Sequence, residues 1–360
     1  MFFSDLFIDV TKFATKLPTS EYNTMGKHPI IDQGQKQIAG YTDLEEGLFT
    51  DVPAIIFGDH TRVIKYIDTP FFIGADGVKV IKCLDKQANY NYLYYLLSSV
   101  RIPNTGYNRH YKWLKEAQLV EHTKEEQEKI VSVLSTIDNI LNLCFTQINK
   151  LDELIKSRFV EMFGDIKLNP YKWDIVPFSK LTDIITDGEH ATPKRVTKGI
   201  YLLSARNVLN HELQLFDVDY ISEEEYRRIS KRIIPRNGDV LLSCSGSVGR
   251  CCVVPNNIKF QMVRSVALLR FKNTINPVFA EYLITSDFIQ DQINSNKTAS
   301  SQANLFQGKI AKLNGINPPQ QLQNQFADFV TKIDQQKATV QKSIDKLETL
   351  KKSLMQEYFG

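Results

Sequence analysis

IKSRFVEMFG (155–164) and KKSLMQEYFG (351–360) are two versions of one string, 196 residues apart in a chain of 360. A period that long points to a duplicated domain and not to a small solenoid repeat. Aligned without gaps, 127–164 and 323–360 agree at 12 of 38 positions. Unrelated segments of ordinary composition agree at about 2 or 3. Gln127, Ile137, Asp138, Ile148, Lys150, Leu151, Leu154, Lys156, Ser157, Glu161, Phe163 and Gly164 recur as Gln323, Ile333, Asp334, Ile344, Lys346, Leu347, Leu350, Lys352, Ser353, Glu357, Phe359 and Gly360.

The same segments carry an apolar seam. Ile130, Leu134, Ile137, Leu141, Cys144, Ile148, Leu151 and Ile155 alternate steps of four and three, the a/d pattern of a coiled coil. The second copy keeps the phase with Phe326, Val330, Ile333, Val340, Ile344, Leu347 and Leu354, interrupted by Lys337 and Lys351. No Pro or Gly occurs from 122 to 163. Each copy therefore predicts one helix of about 40 residues, roughly 60 Å long. Pro318 and Pro319 stand at the start of the second helix, where proline is tolerated. Gly164 closes the first.

A long helix with one apolar stripe needs a partner, and its duplicate is the obvious one. Ile137, Leu141, Ile148 and Leu151 then face Ile333, Val340, Ile344 and Leu347. Duplication about a pseudo-twofold makes the pair antiparallel. It sets Phe163 and Phe359 at opposite ends, each beside the other half's globular domain. In the alternative, each helix packs on its own domain alone.

Strand-like runs with turn signals lie outside the helices. VPAIIFGDHTRVIKYIDTPFFIGADGVKVIK (52–82) precedes a helical NYLYYLLSS (91–99). RNGDVLLSCSGSVGRCCVV (236–254) and SVALLRFK (265–272) precede a helical NPVFAEYLITSDFI (276–289). The class is α+β: strand-rich 1–121, helix 122–164, strand-rich 165–316, helix 317–360. EEEYRRISKR (223–232) predicts an exposed helix with pairs Glu223–Arg227 and Glu224–Arg228.

Net charge is +3, but 165–316 alone carries +5, which suits a polyanion partner. The five cysteines are odd in number and form no CxxC, which favours reduced thiols in a cytoplasm and no zinc site. No run of about 18 apolar residues predicts a membrane span, and the start MFFSDLFIDV lacks the basic region of a signal peptide. NPYK (169–172) and NPPQ (317–320) each miss part of the Pro-Pro-aromatic turn that an adenine methyltransferase uses. SGSVG (245–249) is not a GxGxxG, and no P-loop pattern occurs. The sequence favours a non-enzyme without a cofactor of its own.

The combination resembles the specificity (S) subunits of type I restriction-modification systems. The resemblance rests on the twin helix ends and on KEEQEKIVSVLSTID (124–138). It rests also on YNTMGKHPIIDQGQKQIAGYTD (22–43) with IIFGDHTRVIKYIDTPFFIGADGVKVI (55–81), and on YLLSARNVLN (201–210) with NGDVLLSCSGSVGR (237–250). The first half departs from the pattern by opening at FSDLFIDV, without the lead-in NPYKWDIVPFSKL (169–181) of the second. The resemblance implies two target-recognition domains, each reading one half of a split DNA sequence. It implies that the helices space the halves and dock two modification subunits and the restriction subunits. S-adenosylmethionine and ATP with magnesium would belong to those partners. The alternatives are a duplicated coiled-coil scaffold without DNA, or a silent or partial specificity allele.

Base and phosphate contacts come from Arg, Lys, amides and hydroxyls on rigid loops. In the first domain these are Gln33, Gln35 and Lys36; His60, Thr61 and Arg62; and Tyr107, Asn108, Arg109 and Lys112. In the second they are Thr192, Lys194 and Arg195; Arg206 and Asn207; Ser245, Ser247 and Arg250; and Thr298 and Gln302. Scattered His28, His122 and His211 do not form a metal site.

Overall fold

The computed structural model describes residues 1–74, 76–298 and 303–360. The first half runs α1 (Phe3–Leu6), β1 (Phe7–Asp9), β2 (His28–Ile31), β3 (Gly40–Thr42), β4 (Ala54–Gly58), β5 (Ile64–Ile67), β6 (Phe72–Ile73), β7 (Val78–Cys83), α2 (Tyr90–Ser98), α3 (Tyr111–Lys115) and α4 (Lys124–Phe163). The second begins β8 (Ile175–Pro177), α5 (Phe178–Leu181), β9 (Thr182–Asp187), β10 (Arg195–Val196), β11 (Ile200–Leu203), β12 (Val208–Leu209), β13 (Glu212–Leu213), β14 (Asp219–Ile221) and α6 (Glu223–Ile229). It continues β15 (Val240–Ser243), β16 (Cys251–Val253), β17 (Phe260–Met262), β18 (Val266–Phe271), α7 (Pro277–Thr285), α8 (Asp287–Asn296), α9 (Gln307–Ile310), β19 (Asn314–Ile316) and α10 (Gln320–Phe359).

Both long helices are 40 residues, as the seam predicts. Thr123 and Glu126 start α4 with a capping box. The Thr123 hydroxyl accepts from the Glu126 N–H at 3.3 Å, and the Glu126 carboxylate accepts from the Thr123 N–H at 2.8 Å. Gly164 ends α4 at φ +79, its N–H on the Val160 carbonyl. The repeated glutamines have one task. Gln127 reaches back to the His122 carbonyl at 2.9 Å, and Gln323 to the Pro318 carbonyl at 2.8 Å.

Two compact units form, Met1–Thr146 with Gln341–Gly360, and Gln147–Val340. Within each, the segments of α4 and α10 run antiparallel. In unit 1, Ile130 and Leu134 share a core with Phe359, and farther along α4 Asp138 pairs with Lys351. In unit 2, Asp152 pairs with Lys337 at 2.6 Å, and Phe163 packs on Phe326 at 5.6 Å between ring centres. The two lysines that break the second seam thus each meet an aspartate of the other helix. Such half-buried pairs specify register more than they add strength. Ile137, Leu141, Ile333 and Ile344 are buried, while Ile148, Leu151, Val340 and Leu347 are half-buried. Among the described helices α4 is long and apolar enough to cross a membrane, but this seam is spent on packing, as in a core helix.

Phe359 packs on Tyr92 of α2 at 5.8 Å, and Phe163 packs on Phe279 of α7 at 4.8 Å. Each repeated ending therefore sits beside the globular domain of the other half. Those helices are capped alike, by Asn89 on the Tyr92 N–H and by Asn276 on the Val278 N–H. The single helix expected over 276–289 is two. Ser286 is extended (ψ 149), and its hydroxyl donates to the Leu283 carbonyl, which separates α7 from α8.

The globular head of each unit repeats one topology beneath unrelated sequences. Head 1 has an antiparallel sheet in the order β1-β7-β4-β5, and head 2 has β9-β18-β15-β16. A second sheet pairs β2 antiparallel with β3 and parallel with β6. In head 2, β11 pairs antiparallel with β14 and parallel with β17. The central strands are buried on both faces, so they read as unbroken apolar runs. Ile55 and Phe57 face α2, while Ala54 and Ile56 join the core over Phe71 and Ile73. The abrupt start of the first half forms its edge strand all the same. FSDL (3–6) makes the one-turn helix that FSKL (178–181) makes in head 2, with Phe3 and Phe178 buried. Arg227 pairs with Glu223 at 3.7 Å as expected, but Arg228 turns to Glu225 and Glu189 instead of Glu224.

Candidate nucleic-acid interface

In head 1 four loops converge: 32–37 after β2, the β4–β5 hairpin, the β6–β7 turn, and 103–110 after α2. Backbone and short polar side chains tie them together. Thr61 Oγ1 donates to the Gln33 carbonyl at 2.5 Å, and the His60 N–H donates to Gln33 Oε1 at 3.1 Å. Gln33 Nε2 donates to the Asp76 carbonyl at 2.9 Å. Buried Asp59 accepts from the Tyr111 N–H at 2.7 Å through its carboxylate and from the His110 N–H at 2.8 Å through its carbonyl. Gly77, at φ +86, lies so close to His60 that a Cβ would stand 2.7 Å from its ring.

Lys65 holds the first loop from below. It is 2% exposed, and its Nζ donates to the carbonyls of Asp32 at 2.8 Å and Lys36 at 2.6 Å. Burial lowers the pKa of its ammonium against the opposing pull of Asp32.

The predicted residues divide between builders and presenters. Gln33 and Thr61 are spent inside the face. Gln35, Lys36, Arg109 and Lys112 are exposed, with Lys112 over the Trp113 ring. Arg62 sits at φ +63 and reaches the Ile102 carbonyl at 3.4 Å, its Nε buried and unpaired. Asn108 donates to the Thr105 carbonyl, and Tyr107 stacks on His60 at 4.6 Å.

Head 2 gathers the equivalent loops: 204–207 after β11, the β15–β16 hairpin, the β17–β18 turn and the segment after α8. The Ala205 N–H donates to Ser265 Oγ at 3.1 Å, Ser245 Oγ donates to Asn304 Oδ1, and the Leu305 N–H donates to the Cys244 carbonyl at 2.9 Å. Thr298 Oγ1 accepts from the Asn304 N–H. Ser243 Oγ donates to the Ser247 carbonyl at 2.6 Å and accepts from the Arg250 N–H at 3.0 Å. The Arg250 guanidinium has no protein partner among the described residues.

Arg195 and Arg206 both bind Asp219, at 3.0 and 3.1 Å. Burial pushes that carboxyl up, but the two guanidinium groups outweigh it and lower its pKa. Thr192 and Lys194 are exposed, the Lys194 N–H on Glu225. Asn207 is fully buried. Its amide nitrogen donates to the carbonyls of Gln214 and Asp217, and its oxygen accepts from the Ser204 N–H, so it staples the loops together. Gln302 lies outside the described residues. Among those described, no cluster of metal-ligating side chains occurs.

The sequence reading missed Arg264. It is exposed on the β17–β18 turn, where head 1 has Asp76, and lines a cleft of about 460 Å³ with Asp187, His190, Ser245, Asn304 and Phe306. Only the sheet topology, which makes this turn the counterpart of the β6–β7 turn in head 1, singles it out. Each head thus mounts amides, hydroxyls and cations on a braced loop face, the equipment for holding phosphates and meeting base edges.

Residues 176–349 match the family model of the type I restriction modification DNA specificity domain. The putative MjaX specificity subunit of Methanocaldococcus jannaschii is 25% identical over 198 residues, 53% of this chain and 46% of the relative. The EcoR124I/EcoR124II specificity subunit of Escherichia coli is 25% identical over 138 residues, 37% of this chain and 34% of the relative. The matched stretches thus span less than half of either relative. The fold is similar to a crystal structure of the type I S subunit from M. genitalium, with a TM-score of 0.58 and 18% identity over 100% of this chain and 95% of that one. It is also similar to a chain from a study of complex assembly in the type I system, with a TM-score of 0.52 and 13% identity over 98% and 96% of the two chains. Residues 176–349, just under half of the chain, thus match the type I restriction modification DNA specificity domain, and the whole chain, with its twin heads and paired helices, has a fold similar to that of a type I S subunit.

Proposed function

We propose that this chain reads a bipartite, asymmetric DNA target for a type I complex, one half per head, and performs no catalysis itself. The repeated loop face carries the reading: two heads keep one strand topology and one set of tied loops but present different side chains. Head 1 offers Gln35, Lys36, Arg62 and Arg109, and head 2 offers Arg195, Arg206, Arg250 and Arg264. Adenine methylation with S-adenosylmethionine and ATP-dependent restriction fall to partner subunits.

The test is to map adenine methylation in cells that co-express the chain with a modification subunit. Arg250→Ala should lower methylation about tenfold or relax the sequence at one half-site, and Arg62→Ala should do so at the other, since a good base contact discriminates by about 1–3 kcal/mol. Unchanged methylation pattern and duplex affinity in both variants would refute the assignment.

The helices support docking of a partner twice. Lys150, Leu154, Ser157 and Glu161 lie on one face of α4, all exposed, and recur as exposed Lys346, Leu350, Ser353 and Glu357 on α10. Leu154 and Leu350 are each 47% exposed. Packing does not require these identities, and a partner that binds each copy does. Leu154→Glu or Leu350→Glu alone should leave one modification subunit per chain by native mass spectrometry, and the double variant none. Stability should stay within about 0.5 kcal/mol, as for surface sites.

A further inference from the structure

Both heads carry a large aromatic ring bare to solvent on an otherwise polar face. Tyr107 is 86% exposed, and Phe306 is 64% exposed. The sequences around them, TGYNRHYKW and NLFQGKI, have nothing in common. The topology nevertheless puts the two rings in equivalent places, in the loop that leads into the short helix α3 or α9. Each lies against the reading hairpin of its own head. Tyr107 stacks on His60 with the planes 7° apart, and Phe306 lines the cleft with Ser245 and Arg264.

Scattered exposed apolar residues need no explanation. The same exposure at the same station of two diverged loops, inside a face that meets DNA, does. Tyr107 is also lightly held. Gly106 before it is at φ +78 with open space around it. His60, on which it stacks, keeps Nδ1 buried without a hydrogen-bond partner, so the resting stack leaves one polar group unsatisfied.

We propose that Tyr107 and Phe306 are stacking wedges: each ring enters the duplex at its own half-site and stacks on a base, so that reading distorts the DNA. Aromatic rings stack on any base, and inserted side chains unstack and kink a duplex. The rings therefore act alongside the Arg and amide contacts and add no base preference of their own. The inference rests on the DNA-reading role proposed above.

The test uses the full chain assembled with its modification subunits. The probe is a duplex of the mapped target with 2-aminopurine placed beside each half-site, away from the methylated adenines. Binding should raise fluorescence at both probes. Tyr107→Ala should abolish the rise at head 1's half-site alone, and Phe306→Ala at the other, with about tenfold weaker binding. Tyr107→Trp should restore the signal, which a merely structural role would not. Duplex binding without any rise, or an equal rise in both alanine variants, would overturn the wedges. Failure of the unsubstituted assembly to bind its duplex would overturn the reading on which they rest.

Discussion

Phe163→Ala is expected to lower the stability of unit 2 by about 3–5 kcal/mol, the range for emptying a buried aromatic site. The ring is fully buried, with Phe159, Phe279 and Phe326 at 4.9, 4.8 and 5.6 Å between centres. Those three come from α4, α7 and α10, so the hole opens where three helices meet. None can fill it without giving up its own contacts, because buried side chains already sit in close-packed positions. Urea unfolding followed by tryptophan emission reads the result, since the Trp173 indole donates to the Phe163 carbonyl. Phe359→Ala should cost about 2 kcal/mol, because that ring is 9% exposed and ends its helix. Equal losses at the two sites would contradict the packing described.

Lys65→Met should destabilise unit 1 by about 2–4 kcal/mol and abolish methylation that depends on head 1, with head 2's half-site still read. Methionine keeps most of the volume but removes the donor. The Asp32 and Lys36 carbonyls then lose their partner inside the head, at about 1–3 kcal/mol for each buried group left unpaired. Loop 32–37 is the piece that Gln33 ties to the β4–β5 hairpin and the β6–β7 turn, so its loss should spread across the face. Amide exchange in 32–37 should quicken with the loss of half-site reading. Lys36→Ala is the control. Its side chain is exposed and its carbonyl is untouched, so stability should hold while affinity falls modestly.

The helices were legible because an a/d seam, a capping box and a terminal glycine are local signals. Their antiparallel sense followed from duplication, and the lysines that marred the seam found Asp138 and Asp152 opposite. The sheets were less legible. β2 pairs with β6 across some forty residues, and no short pattern announces a parallel partner at that distance. The echo of FSDL in FSKL was too short to notice without the strands that follow it. On the loop face, residue type could not tell a side chain left free from one that braces the loops. Gln33 and Asn207 look like base contacts, yet their amides bind loops, whereas Arg264 sits in an unremarkable turn and stands free. Hydrogen-bond capacity is the same in both roles, and only the fold decides how it is used.

The division of α10 between the units has a consequence for the order of folding. Unit 2 lies within one uninterrupted stretch, Gln147–Val340, whereas unit 1 joins Met1–Thr146 to Gln341–Gly360. Head 1 leaves the ribosome before head 2, yet Ile130 and Leu134 wait for Phe359, and Asp138 for Lys351, until head 2 and α10 have been translated. Closing that loop joins segments more than two hundred residues apart, a slow kind of contact to form. The head made first is therefore completed last, and until α10 arrives the apolar face of its helix stays uncovered during synthesis.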